Sequence, residues 1–132
     1  MLNDDNYNFS FSGIKTSVLY YMRDHNDIVK SRLADIAASF QQAVVDVLVG
    51  KSIRAAREYD IRDIVAVGGV SANSLLRVQF KDVCEKQKKR FFSPRPLLST
   101  DNAAMIAMLG ALKLERGIHS DLSLRAMARV PL

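Results

Sequence analysis

The stretch with the clearest potential for chemistry is a two-glycine turn between an apolar run and a helical pattern. Gly68 and Gly69 follow the apolar residues 64–67, and Ser71 and Asn73 stand where the helical pattern begins. Glycine lets the backbone approach a ligand closely, and free N–H groups at the start of a helix attract anions. Ser71 or Asn73 is expected to cap the helix. The turn predicts a phosphate site, although an α/β domain can use such a turn purely as a connection.

A second polar junction, residues 100–102, precedes the last helical pattern. Asp101 is the one carboxylate placed directly before that apolar helix. It is either the N-cap of the helix or a contact to a metal or ligand. His25 and His119 lie in polar, turn-like segments, so neither stands at metal-ligand spacing from Asp101. Lys15, in the first turn of an earlier helical pattern, faces either an anion or water. The sequence shows no self-sufficient catalytic set.

Length and composition indicate an ordinary globular domain. The chain has 132 residues, of which 48% are hydrophobic and 25% are charged, and its net charge is +5. A basic balance permits contact with nucleic acid without demonstrating it. Cys84 is the single cysteine, which excludes an internal disulfide and fits a reducing compartment, hence a cytoplasmic location. No apolar run approaches the roughly 20 residues of a membrane span, so no membrane is expected, and the acidic start differs from a secretory signal.

Hydrophobic periodicity predicts an alternation of helices and strands. The last helix is apolar nearly all round, so it is expected to be buried against a neighbour. Gly50 is expected to bend or end the long helix, and Gly117 to cap the last one. The order favours an α/β fold with a small sheet and flanking helices, forming half of a larger fold. The predicted elements are a strand at 7–12, a helix at 14–22, a polar link at 25–30, a long helix at 31–59, a strand at 64–67 covered on both faces, a helix at 72–86, a short strand at 91–92 and a helix at 103–116.

Three stretches together resemble successive motifs of one known family. They are residues 9–16 (FSFSGIKT), residues 67–73 (VGGVSAN) with Leu76 and Arg77, and residues 100–107 (TDNAAMIA). In this order they resemble the TsaD family of tRNA threonylcarbamoyladenosine enzymes, formerly described as O-sialoglycoprotein endopeptidases. Residues 121–132 look like a variant of the C-terminus of that family. The resemblance covers only its C-terminal portion.

The resemblance implies a fold and a set of site residues. The fold would be the ASKHA architecture of actin and sugar kinases, with residues 1–132 forming the C-terminal lobe and the N-terminal lobe absent. By the family pattern, Asp101 would bind a metal, iron or zinc, together with a His-x-x-x-His pair in the missing lobe. Asn73 would bind an adenine nucleotide or threonylcarbamoyl-AMP, and Gly68 and Gly69 would give its phosphates access to the backbone. No role follows for residues 12–16.

The implied reaction transfers threonylcarbamoyl from threonylcarbamoyl-AMP to adenosine 37 of tRNAs that read codons beginning with A. The implied partners are tRNA and, in bacteria, TsaB and TsaE. This segment is expected to be inactive alone. Two alternatives stay open: a non-catalytic nucleotide-binding or scaffold module resembling TsaB, which would not be expected to keep Asp101, and the older glycoprotease assignment, for which the sequence offers no nucleophile–base pair.

Overall fold

The computed structural model describes residues 4–123 and residue 125, so most of the segment resembling the family's C-terminus lies outside the described residues. Four α-helices, two short strands and two 3₁₀ turns follow one another along this part of the chain. They are α1 (Ser12–Asp24), α2 (Asn26–Glu58), β1 (Asp63–Val65), a 3₁₀ turn (Gly69–Ala72), α3 (Ser74–Lys86), β2 (Arg90–Phe92), a 3₁₀ turn (Pro96–Leu98) and α4 (Ala103–Glu115).

The sheet consists of β1 and β2 paired in parallel, with α3 as the crossover between them. This confirms the predicted α/β class and the strands predicted at 64–67 and 91–92. Ile64 lies opposite Phe91 in the register, and both side chains pack against the core. Val65 is 63% exposed on the other face, so the prediction of a strand covered on both faces was wrong. Among the described residues the helices cover one face of this sheet, and Val65 and Phe92 on the other face are exposed.

The hydrophobic core lies between α2 and α3. Phe80 stacks on Phe91 of β2 with ring centroids 5.0 Å apart. Cys84 is 1% exposed, which confirms its interpretation as a packed residue, and burial raises the pKa of its thiol. The buried members of this core are Val45, Val49, Ile53, Leu76, Phe80 and Cys84.

The segment before α1 is not the predicted strand. Lys51 of α2 instead donates to the backbone oxygen of Asn8 at 2.8 Å, and Arg54 donates to the backbone oxygens of Asp4 and Asn6. Of these backbone oxygens, that of Asn8 lies within the predicted strand, where it would otherwise pair with another strand.

The two N-terminal helices differ from the prediction at their junction. His25 separates α1 from α2, and most of the predicted polar link is the first turn of α2. The one non-helical residue inside α2 is Arg32, with φ −118°, whereas Gly50 lies within regular helix. By length and composition alone α2 could also cross a membrane, which is weak evidence because core helices meet the same criterion.

The last helix, α4, begins and ends as its sequence predicts but is not buried. Asn102 accepts a hydrogen bond from the backbone N–H of Met105 at 3.1 Å and so caps the helix. Gly117, at φ +69°, ends it with two backbone hydrogen bonds from Gly117 and Ile118 to the last turn, which form a Schellman motif. No residue of α4 is buried, so the expected burial was wrong for the described chain: its apolar side chains find no covering partner there.

Candidate functional site

The turn after β1 has the backbone conformation that its glycines predict. Gly68 has φ +84°, a region that side-chain-bearing residues rarely adopt. Its carbonyl oxygen accepts from the N–H of Ser71 at 2.9 Å, which closes the first turn of the 3₁₀ segment. Gly69 is exposed, with open space where a side chain would begin. The backbone at both glycines is therefore accessible to a ligand.

Asn73 connects this turn to two helices. Its side-chain oxygen accepts from the N–H of Leu76 at 3.0 Å, which makes it the N-cap of α3. Its side-chain nitrogen donates to the side-chain oxygen of Gln41 on α2 at 3.1 Å. Of the two predicted caps, Asn73 is therefore the one used. Ser71 is 2% exposed, and its hydroxyl has no hydrogen-bond partner among residues 4–123.

Asn73 lines a cavity of about 420 Å³ between α1, α2 and the glycine turn. Lys15 lines the same cavity, so a cation stands on the wall opposite the end of the glycine turn. Gly68 and Gly69 do not line it but lie immediately before Val70, which does. The walls are otherwise apolar, and the polar lining residues are Lys15, Gln41 and Asn73. Such a cavity suits a ligand with a flat apolar body and hydrogen-bond acceptors.

Arg77 joins the glycine turn to the loop that leads to α4. Its Nε donates to the backbone oxygen of Ser71 at 2.6 Å, and its terminal nitrogens donate to the hydroxyls of Ser93 and Ser99 at 3.0 Å and to the backbone oxygen of Pro94 at 2.5 Å. Ser99 is 4% exposed and stands two residues before Asp101. One guanidinium group thus joins the glycine turn to the loop that leads directly into the second junction, residues 100–102.

Asp101 itself is exposed and has no hydrogen-bond or ion-pair partner in the described part of the chain. Because Asn102 caps α4, the interpretation of Asp101 as the cap was wrong, and its carboxylate is free for another contact. Within residues 4–123 there is no group of three His, Cys, Asp or Glu side chains that could hold a metal ion. Asp101 could supply one ligand, and an iron or zinc site would need the others from elsewhere.

The two histidines are engaged locally, as their isolated positions predict. Nδ1 of His25 lies 3.0 Å from the backbone oxygen of Tyr21, and the two rings stack. Nδ1 of His119 lies 3.1 Å from the backbone oxygen of Gly117. Neither histidine belongs to the cavity or to the loop of Asp101.

Gln41 and Arg77 are the residues whose contacts the sequence did not reveal. A glutamine within a helix, such as Gln41, is normally at the surface or in a hydrogen bond between helices, and the structure shows such a bond, whereas Arg77 was predicted only as part of a motif. Gln41 stands one residue after Phe40 and four before Val45, so it borders the apolar stripe of α2. That position was the available signal, but its partner lies 32 residues away in Asn73.

Comparison with known proteins bears directly on this site. A family model described as "TsaD: tRNA N6-adenosine threonylcarbamoyltransferase" matches residues 2–108, a range that includes Gly68, Asn73, Arg77 and Asp101.

Individual relatives carry the same name. A tRNA N6-adenosine threonylcarbamoyltransferase from Prosthecochloris aestuarii is 54% identical over 114 residues, covering 86% of this chain and 33% of the relative. Those from Thermotoga neapolitana and Desulfotalea psychrophila are 48% and 51% identical over 126 residues, covering 96% and 92% of this chain and 38% and 37% of each relative. This chain therefore spans little more than a third of these relatives. Because the family model matches residues 2–108, which is most of the length of this chain, the chain belongs to the TsaD family.

Proposed function

We propose that this chain is the C-terminal lobe, residues 1–132, of a tRNA N6-adenosine threonylcarbamoyltransferase with an ASKHA fold. The observation that carries the proposal is the junction of the glycine turn and the cavity, with Asn73 and Lys15 lining one space. A parallel βαβ unit with its polar junction after β1 is a common setting for nucleotide binding. The family match supports the same assignment.

In this proposal the adenine nucleotide of threonylcarbamoyl-AMP binds at the cavity. Its apolar surface lies against the walls, and Asn73 donates a hydrogen bond to it. The backbone at Gly68 and Gly69 approaches the phosphate, and the ammonium group of Lys15 offsets the negative charge. The chemistry of the pocket agrees with such a ligand, because its polar lining residues include a cation and two amides.

The transfer joins N6 of the tRNA adenosine to the carbamoyl carbon. The bond from that carbon to the phosphate oxygen breaks, AMP leaves with the bonding electrons, and N6 loses a proton. Negative charge accumulates on the departing phosphate, where Lys15 would stabilise it. Iron or zinc, bound by Asp101 and two imidazoles from the missing lobe, would supply Lewis-acid chemistry at this site.

The proposed partners follow from the same assignment. The net charge of +5 favours contact with the tRNA backbone. TsaB and TsaE are proposed as protein partners and the cytoplasm as the location. Because the relatives are more than twice as long, the exposed apolar side chains of α4 are proposed to pack on the part of the fold that this chain lacks. The chain alone is expected to be inactive.

A chimera tests the proposal. This chain replaces the aligned segment of the Thermotoga neapolitana relative, and threonylcarbamoyladenosine in tRNA is measured by mass spectrometry. We expect the chimera to form the modified nucleoside. Asp101→Asn should reduce its formation by about 100-fold or more, while the matched control Asp82→Asn, an exposed carboxylate on α3, should leave it unchanged. A folded but inactive chimera would refute the transferase, and an active Asp101→Asn chimera would refute the metal role.

The same chimera separates the transferase from the scaffold alternative. A scaffold resembling TsaB would support binding of partners without forming the modified nucleoside. Asn73→Ala should reduce formation of the modified nucleoside by the transferase, whereas a nucleotide-binding or scaffold module would form none with or without that change.

A further inference from the structure

The hydrogen bonds of Asn73 fix the orientation of its amide. The N–H of Leu76 can only donate, so the side-chain oxygen of Asn73 must face it, at 3.0 Å. The side-chain nitrogen is then left for Gln41, at 3.1 Å. Because that nitrogen donates, Gln41 must present its oxygen. Each bond thus determines the next, and neither amide can be turned over without losing a hydrogen bond.

The pair leaves an excess of donors in the cavity. After its bond to Gln41, the Asn73 nitrogen keeps one hydrogen, and the nitrogen of Gln41 keeps two. Both residues line the cavity together with Lys15, whose ammonium group only donates. The polar lining therefore selects for a ligand whose polar edge accepts hydrogen bonds.

Packing does not explain the position of Gln41. Its side chain is exposed, and the contact between α2 and α3 is made by buried apolar residues such as Val45, Val49 and Leu76. Gln42, its neighbour on α2, donates to Asp46 on the same helix and does not line this cavity. Among the described residues, the hydrogen bond from Asn73 is the one that connects the side chain of Gln41 to another element of the fold.

We infer that Gln41 is a positioning residue for the nucleotide site: it holds the Asn73 amide so that the remaining Nδ2 hydrogen meets an acceptor on the ligand. The inference rests on the proposed function, since the ligand is the adenine nucleotide of that proposal. Gln41 accepts from the nitrogen of the Asn73 amide, while the oxygen of the same amide is held by the backbone N–H of Leu76 at the start of α3.

The test compares three variants of the full chain by NMR and by titration with AMP. Gln41→Leu keeps the bulk but loses the acceptor, Gln41→Glu keeps the acceptor, and Gln42→Leu is the matched control on the same helix. The side-chain amide signals of Asn73 and the backbone amide signal of Leu76 report the two hydrogen bonds separately.

We expect Gln41→Leu to shift and broaden the Asn73 side-chain signals, to leave the Leu76 signal in place and to weaken AMP binding about 3- to 10-fold. Gln41→Glu should restore the Asn73 signals, and Gln42→Leu should change neither readout. Unchanged Asn73 signals and unchanged AMP affinity in Gln41→Leu would overturn the inference. An equal loss in Gln42→Leu would also overturn it, since that would indicate a general effect on α2.

The two proposals fail in different ways. If the unaltered chain does not bind AMP, the nucleotide site of the proposed function is refuted for this chain, and the ligand part of this inference fails with it. If AMP binds but Gln41→Leu leaves the Asn73 signals and the affinity unchanged, the nucleotide site stands and Gln41 is not its positioning residue.

Discussion

Replacing Arg77 with methionine tests whether one guanidinium group holds the two candidate loops together. The substitution keeps an unbranched side chain in α3 but removes hydrogen bonds to Ser71, Pro94, Ser93 and Ser99. Two of these partners, Ser71 and Ser99, are 2% and 4% exposed, so water cannot readily replace the lost donors. A buried polar group left without its partner costs about 1 to 3 kcal/mol. The hydroxyl of Ser99 still donates to the backbone oxygen of Arg95. We therefore expect Arg77→Met to lower the unfolding free energy by about 2 to 4 kcal/mol.

Urea denaturation, monitored by the circular dichroism signal of the helices, measures this loss of unfolding free energy. Arg77→Lys keeps the charge but not the fork of donors, so it should recover less than half of the loss. Arg95→Met is the matched control, since Arg95 is exposed, and it should stay within about 0.5 kcal/mol of the unaltered chain. NMR should show amide shifts in both loops of Arg77→Met, at residues 68–73 and 99–102. If Arg77→Met costs no more than Arg95→Met, or if only one loop shifts, Arg77 does not hold the loops together.

Three further predictions concern the rest of the described chain. Ile106→Asp on α4 should change the unfolding free energy by less than about 0.5 kcal/mol, because Ile106 is 66% exposed; a large destabilisation would show that α4 is buried. The hydrogen bond from Arg90 lowers the pKa of Asp63, so their pair stabilises the fold at pH values above the ordinary pKa of 3.8 and loses that effect as the pH falls below 3.8. Asp63→Asn should flatten the pH dependence of the unfolding free energy in this acidic range, and an unchanged slope would contradict the pairing. Cys84 is buried with a raised pKa, so iodoacetamide should alkylate it at least about 100-fold more slowly in the native chain than in urea; equal rates would contradict its burial.

Local sequence patterns predicted the junction between β1 and α3 well. The apolar run, the glycines and Asn73 each act within a few residues, so their spacing alone indicated a strand, a turn with positive φ and a capped helix. The short strand β2 and the end of α4 at Gly117 followed from similarly local signals.

Contacts between distant residues were not predictable in the same way. The alternating pattern of residues 7–12 indicated a strand, but Lys51 binds the backbone there from 43 residues away. The bond between Gln41 and Asn73 depends on how α2 packs beside α3, and single-sequence periodicity does not encode that packing. The apolar character of α4 predicted burial, yet its covering surface is not among the described residues. Periodicity indicates which side chains need a partner without identifying the partner.

Titration of the ¹⁵N-labelled chain with AMP measures most directly whether the turn after β1 and the loop before α4 form one nucleotide site. We expect the largest amide shifts at Val70 and Asn73, at Lys15 across the cavity, and at Asp101 in the neighbouring loop, with a common saturation curve for all four. Shifts confined to the exposed surface of α4, or no saturable shift at Asn73, would contradict the nucleotide site and the function proposed from it.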